Sequence, residues 1–178
     1  MVTQAGGREE ALVLRLVRGM VAGVVAGMVF AGVTMWFTTT MGDPADMPLH
    51  MISTIVLGAG AMEAGTTSVG VGLAVHMVLS ALFGLVFALA VPALRTNGTV
   101  ALVGTGYGAL LYVVNFLILA PIAFPVFQMA NQPFELFAHV VFGTLLSFAF
   151  FGSGARRAEH VISVGRGVGR GSRQQVGT

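Results

Sequence analysis

Four long runs of apolar residues dominate the chain, and each is long enough to cross a lipid bilayer as a helix. A bilayer core about 30 Å thick is spanned by about 20 helical residues. Because an unpaired peptide group is costly in lipid, such runs form helices rather than irregular backbone. We therefore predict an all-α fold, an integral membrane four-helix bundle. The predicted spans are residues 19–37, 69–94, 99–120 and 133–151.

The composition favours the same class of protein. Of the 178 residues, 56% are hydrophobic and 9% are charged, whereas soluble domains carry about 25% charged residues. A water-soluble surface cannot be built from so few charges. The chain has no cysteine, which excludes disulfide frameworks, thiolate metal sites and cysteine nucleophiles.

The charged residues indicate the orientation in the membrane. All nine basic residues are arginines, and they lie near the amino terminus, between the second and third spans, and in the carboxyl tail. The loops at residues 38–68 and 121–132 have no Lys or Arg and carry Asp43, Asp46 and Glu63. The positive-inside rule then predicts that both termini are cytoplasmic. The high pI therefore reflects topology, and the expected partner is the lipid bilayer rather than nucleic acid.

Two outer segments and the tail complete the predicted organisation. Residues 48–57 follow Asp46 and are typical of a short interfacial helix with an acidic cap. Residues 121–132 are apolar, and we expect two prolines to break the helix there. The transmembrane domain covers residues 1–154, and the Arg- and Gly-rich residues 155–178 form a cytoplasmic tail that we expect to be disordered. The two prolines are Pro121 and Pro125.

A weak internal repeat appears when His76 is aligned with His139. The first and third spans then match as well, which predicts two helical hairpins in parallel orientation about an axis along the membrane normal. Chance is the alternative, because glycine and alanine are common in membrane helices. The other matched pairs are Gly23 with Gly104, Gly27 with Gly108, Thr34 with Asn115, Val78 with Val141, Leu82 with Leu145, and Phe87 with Phe150.

Glycines recur every four residues in two spans, as Gly19, Gly23 and Gly27 and again as Gly104 and Gly108. This spacing aligns them on one helix face, where another backbone can approach closely in lipid. We favour packing within the chain. A homodimer through the first span, or a larger membrane complex, is the alternative.

Four polar residues are predicted to meet in one layer toward the outer side. His76 lies roughly 10 Å below the start of its span, and His139 lies at nearly the same depth. Glu135 is one turn above His139, and Asn115 is near the outer end of the third span. His50, in the outer loop, is placed to cap this layer. Polar groups inside a membrane are expensive, which makes them candidates for function.

Three interpretations of this layer remain open. One is a structural hydrogen-bonded set in which Glu135 accepts from His139. Another is a metal or haem b site on His76 and His139 with His50, since imidazoles and nearby methionine thioethers suit copper. A third is a substrate or proton pathway through Glu135 and the histidines. No catalytic residue stands out, so an enzyme is the least supported class.

Three segments together resemble the YagU-like group of small bacterial inner-membrane proteins. They are residues 74–80 around His76, residues 112–125 with their Leu-Ala-Pro, and residues 134–139 with Glu135 and His139. The resemblance implies a helical fold and a multi-pass location in a bacterial inner (plasma) membrane. That group has no settled activity to carry over. We therefore expect a non-enzymatic accessory or small-solute membrane protein, with a copper- or haem-binding protein as the alternative.

Overall fold

A computed structural model of the chain describes residues 2–152, with side chains from residue 9 onward. Within that range the secondary structure is helical, without a strand, so the all-α prediction is confirmed there. The predicted tail, residues 155–178, lies outside the described residues. The α-helices are α1 (Val2–Thr40), α2 (Met47–Leu57), α3 (Val69–Ala90), α4 (Asn97–Tyr112), α5 (Ala120–Ala123) and α6 (Gln132–Phe148). Shorter helical turns occupy Ala59–Ala61, Val91–Ala93 and Pro125–Met129, and a π-helix occupies Val113–Leu119.

Three helical segments of the described chain are long and apolar enough to cross a membrane: Glu9–Thr40, Val69–Ala93 and Asn97–Ala123. They contain the first three predicted spans almost completely. The fourth prediction corresponds to α6, which has 17 residues and is therefore about 25 Å long. Since α2 is shorter still, it is too short to span, as the sequence indicated.

The first helix begins much earlier than predicted, at Val2 rather than near residue 19. Residues 11–18 consist of alanine, leucine, valine and arginine, without a glycine or proline to end a helix. The apolar run marks only the part of a helix that lipid can cover. A helix continues beyond that part where its residues favour it.

The helices pack as two antiparallel pairs, α1 with α3 and α4 with α6, and α1 also packs against α6. Helix α2 lies across the start of α3. We call the end that carries α2 the α2 end, and the opposite end, with the turn at Arg95, the Arg95 end. Many outward-facing side chains are apolar, as in a surface that faces lipid. Examples are Leu102 at 73%, Val21 at 58% and Phe137 at 57% exposed, whereas Phe87, Leu146 and Phe150 are buried in the core.

Glycines bring the backbones of α1 and α3 together. A Cβ atom added at Gly23 would collide with the carbonyl oxygen of Ser80, and one added at Gly84 would collide with that of Gly19. At Gly27 it would meet the Ser80 hydroxyl. The glycine face of α1 is therefore covered by α3 of the same chain.

The second helix pair repeats this contact. Added Cβ atoms at Gly104 would meet Ser147 and the Gly143 carbonyl, and one at Gly108 would meet the carbonyl of His139. The alignment of His76 with His139 also matches Ser80 with Gly143 and Gly84 with Ser147. Each of the two helix pairs thus packs at the positions that the predicted repeat makes equivalent.

The α2 end differs from its prediction in two details. Asp46 occupies the N-cap position of α2 without a side-chain capping bond, and its Oδ2 lies 3.7 Å from His50 Nε2 instead. Pro121 does not break the helix, which continues to Ala123. The π-helix just before it widens the turn that the proline ring would otherwise clash with. The chain leaves the helix at Phe124, before Pro125.

Candidate functional site

A cavity of about 540 Å³ lies at the α2 end, between the two helix pairs. Its volume is in the range of pockets that bind small molecules. The lining is mostly apolar and comes from α1, α2, α3, the π-helix, the Pro125–Met129 turn and α6. Eight of the chain's 13 phenylalanines and five of its ten methionines line it. The methionines are Met35, Met41, Met47, Met51 and Met129.

All four residues of the predicted polar layer line this cavity: His76, Asn115, Glu135 and His139. Helix α3 supplies the first, the π-helix the second, and α6 the other two. A π-helix is rare and occurs frequently at functional sites, and here it carries Asn115 to the cavity wall. The structure therefore brings together the four residues that the sequence grouped.

The two histidines are held differently. His76 Nε2 lies 2.9 Å from the carbonyl oxygen of Gly27, so the ring donates across from α3 to α1. His139 Nδ1 lies 2.7 Å from the carbonyl oxygen of Glu135, within its own helix. A carbonyl oxygen only accepts, so each neutral ring presents its N–H there. The remaining nitrogen, Nδ1 of His76 and Nε2 of His139, is then an acceptor.

One aromatic ring contacts both imidazoles. The Phe30 ring centroid is 5.7 Å from that of His76 and 4.9 Å from that of His139, the latter edge to face. His139 also meets the rings of Phe116 and Tyr112. These contacts fix the ring planes, so the acceptor nitrogens are held in a largely apolar setting.

Glu135 is 8% exposed, yet its carboxylate lacks a hydrogen bond to any described residue. Its Oε2 is 3.8 Å from His139 Nδ1, which already donates to the Glu135 carbonyl. The sequence suggested that the carboxylate accepts from His139, and the backbone oxygen takes that bond instead. Within the described structure, Glu135 therefore keeps only one long contact to His139, and its carboxylate is placed to interact with a molecule in the cavity as well.

Thr34 is a fifth polar group of the cavity that sequence reasoning did not select. It is 6% exposed, lines the cavity, and its Oγ1 has no hydrogen-bond partner within the described structure. Buried hydroxyls are nearly always bonded, so an orphan one is unusual. The sequence signal for Thr34 was that the predicted repeat aligns it with Asn115.

His50 does not join the other histidines. It is not among the residues that line the cavity, and its Nδ1 lies 2.8 Å from Thr67 Oγ1. Across residues 2–152, no group of three or more His, Asp and Glu side chains is arranged to hold a metal ion. The three residues of the predicted metal set are therefore not assembled into one centre.

The chain matches no family model, no curated protein and no solved structure. Its chemistry has to be inferred from the cavity itself. The polar groups there are hydrogen-bond acceptors, amides and hydroxyls set in an apolar wall. Such an arrangement can bind and orient a small molecule.

Proposed function

We propose that this protein is a four-helix protein of a bacterial plasma membrane that binds a small amphipathic molecule in its cavity and catalyses no reaction. The observation that carries the proposal is a 540 Å³ cavity whose few polar groups lie within a wall rich in phenylalanine and methionine. An apolar pocket with a small number of placed polar groups is the usual form of a small-molecule site. Methionine adapts its shape to varied apolar ligands.

The proposed orientation puts both termini in the cytoplasm and the cavity toward the outer side. Arg95 lies at one end of the helix pairs, whereas Asp43, Asp46 and Glu63 belong to the loops at the α2 end. Trp36, near the α2 end of α1, is 65% exposed, as expected of an aromatic residue at a lipid–water interface. Helix α6 is the fourth span, and the YagU-like resemblance supports the bacterial location.

Filling the cavity tests the proposal. Ala31 lines the cavity, whereas an added Cβ at the neighbouring Gly32 would meet nothing within 4 Å. We expect Ala31→Phe to abolish the binding of small amphipathic molecules, measured by native mass spectrometry of protein purified in mild detergent and incubated with a panel of them. Gly32→Phe, which adds the same ring on the outside of the same helix, should bind as the unmodified chain does.

If both variants bound ligands equally well, the cavity would not be the binding site. If the unmodified protein bound none of the panel and carried no small molecule from the cell, the proposed function would be wrong. Folding of each variant is checked by its size-exclusion profile, since a misfolded chain loses binding for another reason.

A soft metal such as Cu(I) is the second candidate, because five methionine thioethers and two imidazoles line one cavity. Coordination by both histidines would use Nδ1 of His76 and Nε2 of His139, since the other nitrogens face carbonyl oxygens. Haem b would be held by the same two atoms. Elemental analysis and a visible absorption spectrum of the purified protein separate these cases from an organic ligand.

A further inference from the structure

The cavity is lined by two acidic side chains and, among the described residues, by neither lysine nor arginine. Two carboxylates line it, Asp43 near its mouth and Glu135 inside. Neither Lys nor Arg is among the lining residues that the structure describes. A low-dielectric cleft that carries one sign of charge concentrates ions of the opposite sign. An anionic ligand would meet repulsion here, with no cation to pair it.

The hydrogen-bonding groups of the cavity also favour a ligand that carries donors or positive charge. His76 and His139 each keep one acceptor nitrogen once the other donates to a carbonyl. Thr34 Oγ1 is buried without a partner, and the Glu135 carboxylate is only 3.8 Å from a nitrogen that is already bonded elsewhere. The two imidazole nitrogens and the carboxylate only accept, so they suit a ligand that brings donors or positive charge, whereas the Thr34 hydroxyl can donate as well as accept.

The apolar wall is suited to a cation as well. Phenylalanine rings attract cations through their faces, and the attraction grows when water is excluded. A stacked pair, Phe37 of α1 and Phe134 of α6, lies at the α2 end with ring centroids 3.8 Å apart. Both rings line the cavity, as does Phe30 beside the two histidines. The wall therefore combines aromatic rings with one buried carboxylate.

We infer that the ligand of this cavity is an amphipathic organic cation, an amine or quaternary ammonium with apolar groups, whose charge pairs with Glu135. This inference rests on the proposed binding function and specifies its ligand class. A buried carboxylate alone is expensive in a membrane, and the ligand's charge removes that cost. An inorganic cation is disfavoured, because the cavity is large and mostly apolar and lacks a cluster of three His, Asp or Glu side chains among residues 2–152.

A charged and an uncharged probe of similar shape test the inference. The full chain in mild detergent is dialysed against tetraphenylphosphonium, a permanent cation, or against uncharged triphenylphosphine oxide, with protein-free micelles as the blank. We expect the cation to bind about tenfold more tightly or better, and Glu135→Gln to reduce its affinity by about tenfold or more. The uncharged probe should bind the Glu135→Gln variant as well as it binds the unmodified chain.

Glu63→Gln is the matched control, since Glu63 is an exposed acid at the same end of the molecule that does not line the cavity. It should leave both affinities unchanged. If the two probes bound equally and Glu135→Gln changed neither, the ligand class would be wrong while the cavity function stood. If neither probe bound, the inference would fail, and the proposed function would fail with it only if the wider panel of amphipathic molecules also did not bind.

The pH dependence gives a second readout. A permanent cation carries no proton, so any change of its affinity with pH belongs to the protein. The titratable groups that line the cavity are Asp43, His76, Glu135 and His139. Lowering the pH neutralises the acids and charges the histidines, and each change weakens cation binding. Affinity should therefore fall with falling pH, and less steeply in Glu135→Gln. A rise on acidification would overturn the inference.

Discussion

The helix pairs α1–α3 and α4–α6 share one packing register but differ near the start of the second helix of each pair. Gly23 meets Ser80 and Gly84, and its counterpart Gly104 meets Gly143 and Ser147. Near the start of each second helix the pairs diverge, since Gly72 of α3 corresponds to Glu135 of α6 in the repeat alignment. The scaffold is thus built twice, and the site's chemistry comes from where the two copies differ.

The divergence follows from what covers each helix. An added Cβ at Gly72 would collide with the carbonyl oxygen of Leu49, because α2 lies directly on α3 there. The connection of the α4–α6 pair has no separate helix of that length, since the π-helix and α5 continue α4 and only the Pro125–Met129 turn follows them. Position 135 of α6 therefore has room for a long side chain, and the glutamate there reaches the cavity. One connection seals its helix pair, and the other leaves an acid exposed to the interior.

The histidines show the same contrast. His76 donates to Gly27 of the neighbouring helix and so joins α3 to α1. His139 donates to Glu135 of its own helix and joins nothing. The histidine of the first pair makes a tertiary hydrogen bond. Both histidines line the cavity, but that of the second pair makes no hydrogen bond to another helix of the described chain.

The largest expected effect comes from breaking the shared register. Gly23→Ala and Gly104→Ala each place a methyl group against a neighbouring backbone, which should cost about 1–3 kcal/mol of unfolding free energy. Gly32→Ala and Gly106→Ala add the same group where nothing lies within 4 Å. They should cost nothing or stabilise by up to about 1 kcal/mol, because alanine favours helices.

Denaturant titration in mixed micelles, followed by the fluorescence of the single tryptophan, measures all four variants. A decrease in the unfolding free energy indicates close packing at the glycine, whereas an unchanged or increased value reflects helix propensity. If Gly23→Ala were destabilising and Gly104→Ala were not, the two pairs would not be equivalent, and the repeat would be an accident of composition.

A buried thiol can test whether α2 covers the α1–α3 pair through its contact with Gly72. The chain has no cysteine, and Ser53 of α2 is fully buried, so Ser53→Cys reports whether α2 stays in place. Adding Gly72→Ala should push α2 off α3 and raise the rate of maleimide labelling by about tenfold, the equivalent of about 1.4 kcal/mol. Gly70→Ala is the control, since its nearest neighbour would be an ordinary 3.8 Å away. Equal labelling in both would mean that α2 is held elsewhere.

Much of the fold could be predicted from the sequence because lipid leaves few choices. Apolar runs of that length become helices, and glycines four residues apart align on one face. The amino-terminal extension of α1 was missed, because apolar length says nothing about a helix that continues into water. The passage of the helix through Pro121 was missed for another reason, since the π-helix that accommodates it has no recognised sequence pattern here.

The site was predictable only as a layer. Span depth and helix periodicity grouped His76, Asn115, Glu135 and His139, and all four line the cavity. Which oxygen of Glu135 accepts from His139 depends on ring orientation, and spacing cannot choose between a carbonyl and a carboxylate one turn away. Thr34 was not selected because a helical threonine ordinarily bonds its own backbone.

Thr34, which the repeat aligns with Asn115, gives the test of this comparison with the smallest expected effect on stability. Its Oγ1 is buried without a partner, whereas the Oγ1 of Thr38, one turn later, donates to the Thr34 carbonyl at 2.8 Å. Thr34→Val keeps the shape and removes an unsatisfied hydroxyl, so the ligand-free protein should gain about 1 kcal/mol. Thr38→Val removes a satisfied hydroxyl and should be neutral or slightly destabilising. The same denaturant titration measures both variants. A loss of stability in Thr34→Val would mean that its hydroxyl has a partner in the free protein and is therefore not a group that the first pair turns toward a ligand.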